Sequence, residues 1–225
     1  MTSSNMYATI TSSGRRGYLC VAHSEGLSKS TIATLERIAL PFGSSWQLYM
    51  GARSVKAFPI DRGRMAVSYV RITDNYDDHG RLGVLTCQCV VVKFEQFVDL
   101  ISRPYFAFDA VFNQPGAVSK LLDSRPGGED SRVHDELSLK ISSSSAFRSR
   151  LRLLIGRRVI LRRPFSNAEQ WRSVEHAVQS LVLHLPTALK RNISFVTFTT
   201  SSADPMRLIA MPEGRSPEVQ GRMLG

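Results

Sequence analysis

The sequence predicts a mixed α and β fold, with a mostly antiparallel sheet and covering helices in the first half and a smaller α/β unit in the second. Segments rich in valine, isoleucine and aromatic residues alternate with polar turns through 6–102, as expected of antiparallel strands. A strand, a long helical stripe and another strand follow through 159–200, which is typical of a βαβ unit. Of the 225 residues, 43% are hydrophobic, which is enough to bury a core. We place the first domain at 1–141, the second at 142–211 and a flexible tail at 212–225.

The chain begins with a predicted hairpin and a short helix. Residues 6–11 and 17–23 have strand composition and are joined by a turn of serine, glycine and two arginines. In 28–39, serine caps precede apolar positions with helical spacing, and Pro41 ends that helix. The form of the connection at 41–53 is left open.

Three further strands and a second helix complete the first part. Valine, isoleucine and aromatic residues predict strands at 55–60, 64–72 and 82–92. A turn joins the first two strands and a polar loop joins the last two. The next segment is predicted to be a helix at 94–102, because one helical face carries the apolar residues Phe94, Phe97, Val98 and Ile101.

The second part begins after a linker and a run of serines. Residues 123–131 have the composition of an exposed loop, and 133–141 is a candidate strand. A serine of the run then caps a predicted amphipathic helix at 146–155, which Gly156 ends.

A strand, a capped helix and a strand follow. The continuous apolar run 159–161 predicts a strand that is buried on both faces. Ser166 and Glu169 have the spacing of a capping box. The helix after them has the apolar stripe Trp171, Val174, Val178, Leu181, Val182 and Leu185. A strand is predicted at 192–200 and is a candidate at 207–211, so we expect parallel pairing in this part.

Positive charge is the strongest functional signal. The formal net charge is +10 and the pI is about 10.0, which favours an acidic partner. Seven arginines lie within 147–163, and no carboxylate occurs between Glu136 and Glu169. We take them as the candidate site for an anionic partner: Arg148, Arg150, Arg152, Arg157, Arg158, Arg162 and Arg163. Such a site fits nucleic acid or an acidic protein surface, and the alternative is a solvated charged face. No aromatic residue alternates with the arginines, which weakens the case for single-stranded nucleic acid.

The spacing of the cysteines and histidines in the sequence does not match a metal-binding motif. Cys20, His23, Cys87 and Cys89 supply the ligand types that zinc prefers, but their spacing fits neither a zinc ribbon nor a zinc finger. Buried strand thiols are the favoured interpretation, with Cys87 and Cys89 on one face of a strand. The isolated histidines are interpreted as surface or structural residues, namely His134, His176 and His184. We therefore predict no metal ion.

No catalytic or cofactor motif is evident either. The acidic loop at 74–79 lacks the ligand order of a calcium loop, since Tyr76 stands at its third position, and is predicted to be solvated. The turn at 12–17 could hold a phosphate, but it lacks the P-loop lysine and the helix that should follow. The sequence contains neither a nucleophile elbow nor a His-Glu-x-x-His helix. We predict no catalytic residue and no cofactor.

Composition also bears on the compartment. Three cysteines are an odd number, which favours a reduced, cytoplasmic protein. The first residues have no secretory signal pattern, and the apolar runs are shorter than the roughly twenty residues that cross a bilayer. We expect a cytoplasmic protein without a membrane span.

Several short motifs resemble the bacterial GTPase-associated protein family, accessory proteins encoded beside GTPases in multi-gene conflict systems. The main match is a Leu-Pro, a basic segment and a strand of the Leu-Ser-Phe-Ser-Thr-Tyr type, at 185–198. The segment 156–161 and the tryptophan-bearing helix resemble the family's middle region. Residues 16–27 resemble its opening hairpin, and 78–83 its Gly-Arg-x-Gly motif.

The resemblance implies a function that the residues alone do not reveal. It implies a non-catalytic adaptor or regulator whose partner is a GTPase or another protein of the same system. Family members often carry a histidine in the strand where this chain has 86–89, Thr-Cys-Gln-Cys, and their further C-terminal region is not matched. The alternative function is a nucleic-acid-binding protein that uses the basic stretch 147–163.

Overall fold

The structure is a computed structural model that describes residues 6–13, 17–38, 51–76, 82–102, 158–163, 165, 168–201 and 205–213. The first elements in chain order are β1 (Met6–Ser13), β2 (Gly17–His23), α1 (Lys29–Ile38), β3 (Arg53–Pro59), β4 (Arg64–Tyr76), β5 (Leu82–Lys93) and α2 (Phe94–Ser102). The later elements are β6 (Val159–Arg163), α3 (Ala168–Leu183), the single turn α4 (Thr187–Lys190), β7 (Phe195–Val196) and β8 (Leu208–Pro212).

All the described strands belong to one mixed sheet, in the order β2-β1-β5-β4-β3-β7-β8-β6. The pairs among β1 to β5 are antiparallel, which confirms the pairing predicted for the first part. β8 lies between β6 and β7 and is parallel to both, which confirms the parallel pairing predicted for the second part. β7 also pairs antiparallel with β3, so the two sets of strands meet at β3 and β7. The protein is therefore a mixed α/β protein built on a mixed sheet.

Several sequence predictions fall outside the described residues. They are the domain boundary after residue 141, the linker at 123–131, the strand at 133–141, the helix at 146–155, the capping serine Ser166 and the tail beyond residue 213. At the start of the predicted tail, Pro212 is the last residue of β8.

The strand predicted at 192–200 is much shorter in the structure, where only Phe195 and Val196 form β7. Beyond it, side-chain hydrogen bonds replace a part of the regular ladder. The Val55 N–H donates to Thr197 Oγ1 at 2.9 Å, while the Thr197 N–H donates to the Val55 carbonyl at 2.9 Å. Ser54 Oγ donates to the Phe198 carbonyl at 2.8 Å and accepts from the Phe198 N–H at 3.3 Å. The backbone groups are satisfied without continuing the strand, because short polar side chains can bond to nearby backbone.

The prediction that 159–161 forms a strand buried on both faces is wrong. Val159 and Leu161 are buried, but Ile160 between them is 40% exposed. β6 is the last of the described strands in the sheet, and its described neighbour is β8. Successive side chains of a strand point to opposite faces, so Val159 and Leu161 lie on the buried face of β6 and Ile160 lies on the exposed face.

Charged side chains project from both faces of β3. Arg53 forms a bidentate ion pair with Glu175 of α3, with Nε at 3.0 Å from Oε1 and Nη2 at 2.8 Å from Oε2. Lys56 is fully buried, and its Nζ donates to the carbonyl of Ile38, the last residue of α1, at 3.4 Å. The carboxyl end of a helix carries partial negative charge, which favours an ammonium group there. Residues three apart in a strand point to opposite faces, so these two contacts put α1 and α3 on opposite sides of β3.

The contacts of α3 reach several other segments. The Gln179 side-chain amide donates to the Ile101 carbonyl at the end of α2. At the start of α3, Trp171 packs against Phe165 and Phe198, with ring centroids 4.6 and 4.5 Å away. The buried positions of the predicted stripe are confirmed, and they are Val174, Val178, Leu181, Val182 and Leu185. α3 thus joins β3, α2 and the segment after β7.

We expect Glu175→Ala to lower the free energy of unfolding by about 3 kcal/mol, because Arg53 would keep its charge in a partly buried place without its carboxylate. Urea unfolding of the full chain measures this. Glu169→Ala is the matched control, since it removes an exposed carboxylate from the same helix and should cost less than about 1 kcal/mol. Equal effects of the two substitutions would contradict the importance of the pair.

Two buried serines on the same face of neighbouring strands should respond to alanine in opposite directions. Ser68 Oγ has no hydrogen-bond partner among the described residues, so Ser68→Ala should stabilise the protein by about 1 kcal/mol. Ser54→Ala removes both bonds to Phe198 and should destabilise it by about 1 to 2 kcal/mol. Thermal and urea unfolding of both variants test the contrast. A loss of stability in Ser68→Ala would show that its hydroxyl has a partner.

Candidate functional site

The arginines of the predicted site that the structure describes lie at the β6 edge of the sheet. Arg162 and Arg163 are the last residues of β6, and Arg158 immediately precedes it. The other predicted residues lie outside the described part of the chain, namely Arg148, Arg150, Arg152 and Arg157. The structure therefore describes three of the seven arginines of the candidate site, Arg158, Arg162 and Arg163.

Strand alternation sorts the described arginines onto two faces. Ile160 and Arg162 share one face of β6, and Arg158 continues their row one residue before the strand. All three are exposed. Arg163 is half-buried on the opposite face, where Val159 and Leu161 are buried. We call Arg158, Ile160 and Arg162 the edge row.

The edge row places two guanidinium groups on either side of an aliphatic side chain. The Cα atoms of Arg158 and Arg162 are about 13 Å apart along an extended strand. Arg158 is positioned by its Nε, which donates to the Met206 carbonyl at 3.2 Å. Arg162 makes no ion pair within the described ranges. The Arg162 guanidinium can bind a carboxylate or a phosphate in a bidentate manner, and the exposed Arg158 adds positive charge beside it.

The backbone of the edge row adds a second set of binding groups. The Val159 N–H donates to the Arg207 carbonyl at 2.8 Å, and the Arg163 carbonyl accepts from the Glu213 N–H at 2.8 Å. Since backbone groups alternate in direction along a strand, those of Ile160 and Arg162 point away from β8. Sequence reasoning missed this feature. The sequence signal that could have indicated an edge strand is the pair of arginine clusters on either side of the short apolar run 159–161, because edge strands often carry charged residues.

The cysteines form no metal centre in the described residues. Cys87 and Cys89 are buried on one face of β5, as predicted, with their Sγ atoms 3.4 Å apart. Cys20 lies on β2, which β1 separates from β5. His23 is exposed, and its Nδ1 lies 3.0 Å from the Ser24 carbonyl. No group of three or more histidine, cysteine or acidic side chains in the described ranges is placed to hold a metal ion.

Burial controls the chemistry of these thiols. The hydrogen bond with the Cys87 thiol, together with burial, raises the pKa of the Cys89 thiol well above its ordinary value. Burial also raises the pKa of the Cys20 thiol, which is less enclosed. A thiol with a raised pKa carries little thiolate at neutral pH, and the thiolate is the nucleophile and metal ligand. The Cys20 and Cys89 thiols are therefore poorly prepared for nucleophilic chemistry.

The remaining sequence candidates add no site. Residues 77–79 of the acidic loop, residues 14–16 of the phosphate-like turn and His134 lie outside the described residues. His184 Nδ1 lies 2.7 Å from the carbonyl of Ser180 in the last turn of α3, so that nitrogen carries the proton and donates to the carbonyl. The bond gives this histidine the structural role expected of it.

Comparison with known proteins gives no relatives: the chain matches no protein-family model, no curated protein and no solved structure. None of the helices in the described ranges is both long and apolar enough to cross a membrane.

The burial of the thiols predicts their order of reaction with Ellman's reagent. In the native protein at mildly alkaline pH, Cys20 should react first, because it is only partly buried. Cys87 and Cys89 should react at the rate of global or local opening and become fast in denaturant. Mass spectrometry of the labelled protein identifies the modified residue, with Cys20→Ser as the control. Rapid native labelling of Cys89 would contradict its burial.

Proposed function

We propose that the chain is a non-catalytic adaptor or regulatory module that binds an acidic protein partner through the edge row, Arg158, Ile160 and Arg162. The observation that carries this proposal is the exposure of two arginines and an isoleucine on one face of the terminal strand. The excess of positive charge, +10 over the whole chain, favours association with an acidic partner by long-range attraction.

The chemistry of the edge row favours a polypeptide over a nucleic acid. Guanidinium groups bind carboxylates and phosphates alike, so the arginines alone do not discriminate. Ile160 offers an aliphatic contact, which matches an apolar side chain better than a phosphate backbone. The outward N–H and C=O groups of β6 can also pair with another peptide backbone. These two features support a protein as the partner.

The class of partner comes from the resemblance to the GTPase-associated proteins. On that ground, the partner is a GTPase or another component of a bacterial multi-gene conflict system. The odd number of cysteines supports a complex that forms in the cytoplasm. The composition of the sequence supports a division of the chain into an antiparallel part with covering helices, 1–141, and an α/β middle part, 142–211. Genetic context tests this: neighbouring genes for a GTPase support the proposal, and an isolated gene weakens it.

Nucleic acid is the second candidate, and the same arginines favour it. Binding through phosphates releases counterions, so the affinity for a DNA or RNA duplex would fall steeply with salt. A gel-shift titration over a range of salt concentrations measures this. An absence of binding at low salt would remove this candidate and leave the protein partner.

We expect Arg162→Glu to weaken capture of the native partner by about tenfold or more, because an attractive charge becomes repulsive at the contact. The measurement is a quantitative pull-down from the native host, followed by titration of the identified partner. Folding should be unaffected, since Arg162 is exposed.

Arg172→Glu is the matched control for that variant. It makes the same change in net charge at an exposed residue of α3, an element that does not include the edge row. It should retain the partner with an affinity within about threefold of the original chain. Equal losses in the two variants would mean that net charge, and not the edge row, drives the association. No loss in either variant would exclude the edge row as the contact surface.

A further inference from the structure

We propose that β6 binds its partner by accepting an extended acidic segment as an additional strand of the sheet. This inference rests on the proposed function, because it uses the same edge row. It adds the mode of recognition and the sequence pattern of the partner: backbone pairing with β6, and carboxylates opposite Arg158 and Arg162.

The backbone of β6 provides the pairing groups. Val159 and Arg163 bond to the residues around β8, so the groups of Ile160 and Arg162 face outward. Within the described residues, no hydrogen bond is made to those outward groups. An added strand can therefore form a ladder without disturbing the pairing with β8.

The side chains of the edge row define the pattern of the added strand. Directly opposite residues of paired strands lie on the same face and contact each other. Ile160 would face an apolar side chain, and the residues two positions before and after it would face Arg158 and Arg162. The fitting segment thus alternates as acidic, any, apolar, any, acidic. Opposite charges across a strand pair stabilise that register, and a shift by one residue moves every side chain to the other face.

The strand at the other end of the described sheet, β2, is blocked by contacts that β6 does not make within the described residues. The Cys20 N–H, which points away from β1, already donates to Glu36 Oε1 of α1 at 2.8 Å. The pairing of β2 with β1 also shifts at Val21, which forms a bulge and is 61% exposed. Bulges and covering side chains are common ways of preventing strand addition. β6 is regular over its five residues.

The competing explanation is that Arg158 and Arg162 protect the edge from pairing with other chains. Charged side chains on edge strands commonly have this role. Protection predicts that acidic and basic extended peptides both fail to bind. Strand addition predicts that an acidic peptide binds and that its binding needs free backbone N–H groups.

The probe is a fluorescein-labelled peptide of the repeating pattern Glu-Thr-Val-Thr-Glu, titrated into the full chain by fluorescence anisotropy. Three control peptides separate charge from pairing. The first replaces each glutamate by lysine. The other two keep the glutamates but carry N-methyl groups on the backbone amides, one isomer along one edge of the strand and the other isomer along the opposite edge. We expect the parent peptide to bind, and the lysine peptide and one N-methyl isomer to lose affinity by about tenfold or more.

A variant of the protein tests the same pairing from the other side. Ile160→Pro removes an outward N–H that β8 does not use, and proline is tolerated on the open side of edge strands. This substitution should lower the affinity of the protein for the parent peptide by about tenfold or more. If this variant fails to fold, the N-methyl peptides still decide the question with the unaltered protein.

The outcomes separate the two proposals. Suppose Arg162→Glu abolishes binding, but neither N-methyl isomer nor Ile160→Pro changes it. Strand addition is then wrong, and the edge row remains an acidic-partner surface. If the parent peptide fails to bind while the native partner is lost in Arg162→Glu, strand addition is likewise overturned and the proposed function stands. If Arg162→Glu changes neither the binding of the parent peptide nor the capture of the native partner, both proposals fail.

Discussion

The ion pair between Arg53 and Glu175 is the contact on which the arrangement of the later elements depends. It joins residues 122 positions apart, and both oxygens of the carboxylate are used. Removing two charges from water costs several kcal/mol for each ion, and only good geometry offsets that cost. Other positions of α3 over the sheet would leave a charge without its partner. The ion pair therefore restricts the position in which α3 can pack, and its net contribution to the free energy of unfolding is small by comparison.

The position of α3 then determines where the last strands lie. Its first turn holds Trp171 against Phe198, in the segment that follows β7. Ser54 and Thr197 bind that segment to β3 through side chains, in place of a continued ladder. β7 has two residues, and the chain later forms β8. β6 pairs with the other side of β8, which makes it the last strand of the described sheet.

A terminal strand has an energetic disadvantage and a functional use. Its outward backbone groups are solvated in the free protein, and they attract other chains. In β6, this disadvantage coincides with the end of the arginine-rich stretch 147–163. Charge selects among partners because like-charged segments are repelled, while backbone pairing contributes the directional contacts. At β2, by contrast, Glu36 accepts a hydrogen bond from the edge backbone and Val21 forms a bulge, so the two ends of the described sheet also differ in their backbone pairing.

The sequence by itself determined the elements whose signal is local. Strand composition located β1, β2, β4 and β5, the apolar faces located α2 and α3, and the order strand, helix, strand predicted parallel pairing among the later strands. It also drew attention to Arg158, Arg162 and Arg163. Tertiary structure decided the rest. The burial of Lys56, the pairing of Arg53 with Glu175 and the exposure of Ile160 each depend on which elements become neighbours. Local periodicity records which side chains share a face, but a strand inside a sheet and a strand at its edge have the same period. Only the packed sheet makes β6 an edge and places Arg158 and Arg162 together on its exposed face.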